Sequence, residues 1–226
     1  VSALLLARRG QAYFSRKLNE LPDADFSGAS LLPGWSRAHV ISHVGHNARA
    51  IARLVAGAAN RIVVPMYPSP EARQDEIDFG ASLPTEALRN LSDHAAVHLS
   101  VEWRDLADQA WAFEVITGQG RLVPVSETVW MRTREVGLHA VDLANGGSVH
   151  DFPADLIDRL LEDLVAVWRR KQASALTLVP VDRDRSYSIG EPDVGPTVHG
   201  TAVELVAWGT GRGTAGSSTA MVVPDS

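Results

Sequence analysis

Residues 35–57 read WSRAHVISHVGHNARAIARLVAG, and this stretch decides the class of fold. Val40, Val44, Ala48, Ile51 and Val55 recur at intervals of three and four, so one apolar stripe runs along a helix. Ser36 stands where an N-cap belongs, and the helix it opens runs to about Gly57. On an ideal wheel of roughly 100° per residue, His46 points nearly opposite to the stripe and His39 little closer, which predicts that both face solvent. His43 sits at the shoulder of the stripe beside Asn47, and is the inward-facing histidine of the three. Taken alone, a histidine at such a boundary is commonly an ordinary half-buried side chain.

Outward from this helix, residues 3–18 carry a mixed apolar face, and residues 65–70 break the periodicity before a short helix over about 71–79. A long helix starts near Pro84, whose fixed φ suits a first turn, and runs to about Leu106. Thr, Gly and aromatic residues predict a loop or short hairpin over 111–124. Ser126 can then cap a helix ending at Gly146 and Gly147. Pro153 opens one more, with Leu156, Leu160, Leu161, Leu164, Val165 and Trp168 in helical register. Four long helices with an extra one imply a bundle.

The character then changes. Residues 176–181 form an apolar run of strand length, residues 187–189 alternate with polar neighbours, and Gly and Pro punctuate 190–200. Residues 202–208 suit a short helix before Gly209, Gly211 and Gly213, and residues 221–223 suit a returning strand. The expected fold class is α+β: a helical domain over 1–173 and a small α/β domain over 174–226.

The formal charge of −6 and the scattering of the 21 Lys and Arg residues among acidic ones leave no basic footprint for a phosphate backbone, which argues against nucleic acid as a partner. No window approaches the roughly 18 to 20 apolar residues of a membrane span, and no charged-then-apolar export signal opens the chain, so the expected location is cytoplasmic. The sequence has no cysteine. Disulfides, thiolate ligands and a protein-borne sulfur nucleophile are therefore excluded, and any thiol chemistry must import its thiol.

Residues 134–143 read REVGLHAVDL. Glu135 and His139 are four apart, one turn from each other on a single helical face, and can chelate one ion without bending the backbone. Met131, Leu138 and Asp142 share their stripe, and a carboxylate among core-facing groups is expensive unless paired or ligated. The spacing itself is commonplace, and an exposed or mutually hydrogen-bonded pair is its ordinary outcome. His43 supplies the third donor that changes the reading. Two imidazoles and one carboxylate suit zinc first, with iron, nickel and manganese also compatible, and three protein ligands leave a coordination position open.

The segments LLPGWSRAHVISHVGHNARAI, PMYPSPEARQDEI and VPVSETVWMRTREVGLHAVDL, in matched order and spacing, resemble the mycothiol-dependent maleylpyruvate isomerases, and the resemblance resumes in VHGTAVELVAWGTGRG. It implies an N-terminal DinB-like four-helix bundle with extra helices and a C-terminal sterol-carrier-like α/β domain. It also implies that His43, Glu135 and His139 ligate the metal. The family's Gly-Arg-Gly segment implies a substrate-binding, catalytic arginine at Arg212, where composition alone suggests a solvated residue in a glycine loop. Arg73 is a second substrate-binding candidate, since a guanidinium pairs well with a carboxylate; its alternative is a surface salt bridge with Glu71, Asp75 or Glu76.

Two positions depart from the family pattern, His46 in place of a bulkier aromatic and Gly137 in place of a larger residue. The thiol implied is mycothiol first and ergothioneine second. The implied reaction is isomerisation of maleylpyruvate, a dicarboxylate, to fumarylpyruvate in gentisate breakdown: a metal-activated thiolate adds to the alkene, the bond rotates while single, and the thiolate leaves. A metal-dependent small-thiol S-transferase is the alternative, distinguished by consuming its thiol. A non-enzymatic binding protein in which the metal staples two helices is the third reading.

Overall fold

The computed structural model describes residues 2–191 and 194–213. The chain divides into two compact units, Val1–Gly147 and Ser148–Ser226.

The first unit is built on helices α1 (Ala3–Glu20), α2 (Arg37–Ala59), α3 (Pro70–Ala81), α4 (Thr85–Asp105) and α5 (Glu127–Asp142). As expected, Ser36 caps α2, in a capping box with His39. α2 packs against α4, α3 and α5, while α1 packs chiefly on α5. Small residues set these approaches. A Cβ at Gly45 would meet Leu91 Cγ of α4 at 2.7 Å, and one at Gly10 would meet Val136 Cγ2 of α5 at 2.9 Å. Two apolar clusters fill the interior, one around Ile51, Leu54, Leu99 and Val129, the other around Phe14, Ile41, Val44 and Leu143.

The hairpin expected over 111–124 forms from antiparallel β1 (Glu114–Ile116) and β2 (Leu122–Pro124). Ser126 precedes α5 but makes no side-chain cap, and α5 stops at Asp142, short of the glycine pair, with Ala144 taking the positive φ of 49°. Pro84 sits at the N-cap of α4 instead of in its first turn.

The second unit contains α6 (Ala154–Arg170), β3 (Leu176–Pro180), β4 (Tyr187–Ile189), β5 (Thr197–Gly200) and α7 (Ala202–Gly209). The sheet order is β4-β3-β5, with β3 antiparallel to β4 and parallel to β5. β5 lies within the stretch read as Gly- and Pro-punctuated, and the strand expected over 221–223 lies outside the described residues. The boundary expected near residue 173 instead falls between Gly147 and Ser148. The reason is α6: its apolar face, with Leu156, Leu160, Leu161, Val165 and Trp168 buried, packs on α7 and β4, and the Trp168 and Trp208 rings meet edge-on at 5.8 Å. Among the described residues, no helix is long and apolar enough to cross a membrane.

Candidate metal centre

α2 and α5 bring three donors together. Glu135 and His139 project from one face of α5, and His43 reaches them from α2. Glu135 Oε2 lies 2.9 Å from His43 Nε2 and 3.2 Å from His139 Nε2. One ligand atom from each residue falls within 4.8 Å of the others, the spread a single ion requires. The two imidazoles stand perpendicular, with centroids 4.8 Å apart.

The electrostatics follow from the partners of each ring. Burial holds His43 down to about 4, against the pull of Glu135, so its imidazole is neutral near pH 7. Its Nε2–H then donates to Glu135, and its Nδ1 accepts from Arg73 Nη2 at 3.3 Å. Burial opposes protonation of His139 too, but Asp142 Oδ2 at 2.8 Å from Nδ1 and Glu135 at Nε2 outweigh it, and the pKa is raised. Burial likewise opposes the Glu135 carboxylate, yet its two imidazole partners hold it well below the usual carboxylate range.

Among the described residues, Arg73 forms no ion pair with Glu71, Asp75 or Glu76. Its guanidinium lies against His43 and 5.8 Å from the centroid of the Tyr67 ring. Tyr67 has its phenol pKa raised by burial. Trp35 sets its ring edge against His43 with centroids 5.5 Å apart, and Arg134 Nη2 approaches Glu135 Oε1 at 3.7 Å. Neither aromatic was singled out by spacing, although Trp35 and Tyr67 stand within the family-like segments.

His39 and His46 do not face open solvent. His39 Nδ1 lies 2.6 Å from Ser36 Oγ and its Nε2 3.8 Å from Asp78, while His46 Nδ1 lies 3.8 Å from Glu76. Both turn toward α3, which covers a second face of α2 that a one-stripe wheel leaves bare. Gly137 is buried within α5. Arg212 belongs to the second unit, where its Nη1 donates to the Thr210 carbonyl at 2.6 Å and its backbone N–H to Ala207 at 2.7 Å, closing α7.

A helical bundle that gathers two imidazoles and a carboxylate from two of its helices, followed by a small α/β unit, defines a two-part protein with a metal-type donor set. Residues 7–144 match the mycothiol maleylpyruvate isomerase N-terminal domain, and residues 151–224 match the C-terminal domain of the same isomerases. The chain belongs to this family. It is similar to the crystal structure of a mycothiol-dependent maleylpyruvate isomerase, at 40% identity and a TM-score of 0.90, over 93% of this chain and 88% of that one. A histidine-to-alanine mutant of a mycothiol-dependent maleylpyruvate isomerase matches at 39% identity, with the same TM-score of 0.90 and the same coverage of 93% and 88%. No curated protein sequence matches the chain significantly.

Proposed function

We infer that this isomerase converts maleylpyruvate to fumarylpyruvate with mycothiol as its thiol and a divalent ion held by His43, Glu135 and His139. The observation that carries the reading is the convergence of those three donors on one point, within a chain 40% identical to a mycothiol-dependent maleylpyruvate isomerase.

The donor set suits an ion on chemical grounds. Two imidazole nitrogens already meet one carboxylate oxygen, and Asp142 engages the outer nitrogen of His139 so that Nε2 faces inward. Two nitrogens and one oxygen favour zinc by ligand type. When bound, the ion lowers the pKa of a coordinated thiol, and the thiol supplies a sulfur that adds reversibly to the substrate's double bond.

The chain's own groups do the rest. With no cysteine in the sequence, the sulfur comes from outside. Arg73, which lies beside Tyr67 and His43, is the proposed ligand for one carboxylate of a dianionic substrate and would orient it. Trp35 sets its ring edge against His43, and the half-buried Tyr67 lies beside Arg73. Arg212, matched to the family's Gly-Arg-Gly segment, is the second proposed carboxylate ligand and offsets charge that develops on the substrate.

The test is turnover of maleylpyruvate by the metal-loaded protein with substoichiometric mycothiol, ergothioneine or other small thiols, following fumarylpyruvate. Many product molecules per thiol are expected, with mycothiol the best partner. One thiol consumed per product would make the protein an S-transferase instead. Full activity in His43→Ala would remove the metal centre from the reaction.

A further inference from the structure

Besides the metal-type cluster, α1 and α4 flank a half-open pocket of about 320 Å³. Each helix packs mainly on another partner, α1 on α5 and α4 on α2, and they face each other across small side chains, Ala7 and Ser15 on one side and Ala96 and Ser100 on the other. The volume lies at the lower end of the about 300–1,000 Å³ typical of small-molecule sites. None of the three metal-type donors lines it.

Its lining is apolar along Leu4, Leu99 and Trp103, and polar where it meets charge. Two guanidinium groups, Arg8 and Arg132, border it against one carboxylate, Asp93, while Arg104, also in the lining, is paired with Asp105 at 2.7 and 2.9 Å. Arg132 is the decisive member, because it is only 2% exposed. Its Nη1 donates to the Val44 carbonyl at 2.7 Å and Asn47 Oδ1 at 3.0 Å, and its Nη2 donates to Gln11 Oε1 at 2.8 Å. Among the described residues, its Nε has no partner. A buried guanidinium with two of its five N–H groups unspent, bordering an apolar hollow, is a costly arrangement that an anion would relieve.

We propose that this cavity is a second ligand site for a small carboxylic acid with an aromatic body, the ring lying along Leu4, Leu99 and Trp103 and the carboxylate held by Arg8 and Arg132. The site stands independently of the isomerase reading.

The probe is 1-naphthoate, titrated into the full chain with its metal, against 1-naphthylmethanol as the neutral counterpart. Calorimetry is expected to show one naphthoate per chain, with the alcohol at least about tenfold weaker. Intermolecular NOEs are expected to reach the methyls of Leu4 and Leu99. Binding persists in His43→Ala and weakens by about tenfold or more in Ala96→Phe, which fills the hollow. Should Ala96→Phe misfold, the NOEs in the unaltered protein decide alone. Absence of saturable binding, NOEs confined to other methyls, or loss of binding in His43→Ala would each overturn the site, and equal binding of the alcohol would overturn its preference for an acid.

Discussion

At the scale of single residues, His139 carries the clearest consequence. Its Nδ1 faces Asp142, which is fully buried, and its Nε2 faces Glu135, so the ring cannot turn without abandoning a carboxylate. Removing Asp142 frees both the tautomer and the orientation of the ring. Asp142→Ala is therefore expected to weaken metal binding about 10- to 100-fold, and Asp142→Asn, which keeps an acceptor for Nδ1–H but not the charge, by less. Competition against a chromophoric chelator measures this, and an unchanged affinity in a folded Asp142→Ala protein would leave Asp142 a mere neighbour. Arg73 is expected to lower kcat/KM for maleylpyruvate by roughly 10- to 100-fold when changed to Ala, with little rescue by Lys, since an ammonium cannot reproduce the planar fork. If Arg73→Lys were as active as the wild type, point charge alone would suffice. The donors were legible because helical spacing is periodic: Glu135 and His139 share a face by arithmetic. The Arg73 contact was not, since it joins side chains 30 residues apart on different helices.

At the scale of elements, α2 shows where a helical wheel fails. A wheel assigns one buried face, but α2 has α4, α3 and α5 around it, and most of its residues are buried. His46, read as pointing outward, therefore points at α3 and Glu76. Ser36 and Pro153 marked their helix starts correctly because caps are local chemistry; β5 was missed because its short run lies among glycines and a proline, where pairing with β3 supplies the order. Local chemistry also makes α7 testable. Glu204 accepts from the backbone N–H and hydroxyl of Thr201, and these hydrogen bonds hold its carboxyl below the ordinary value of 4.5. A depressed folded pKa means that this cap stabilises fully above about 4.5 and loses its contribution as pH falls through the lower folded value. Glu204→Gln should thus be less stable than the wild type at neutral pH, and the difference should shrink in acid. Denaturant melts across that range check it, and a difference that grows on acidification would contradict the cap.

At the scale of the whole molecule, the division between Gly147 and Ser148 matters more than the one expected from the change in composition near residue 173. Composition sees α6 as one more helix after four others, whereas packing gives it to α7 and β4. Among the described residues, the cluster of three metal-type donors falls within Val1–Gly147, on α2 and α5. An ion that binds only the folded form stabilises it by about 2.7 kcal/mol at a hundredfold excess over Kd. That stabilisation reaches the helices it ties together. Chelation is expected to speed amide exchange in α2 and α5 while leaving the α6, β3 and α7 amides at their former protection. Exchange followed residue by residue distinguishes this from equal loss across both units, which would mean that they open as a single cooperative body and that the ion's influence is not confined to the helices that hold it.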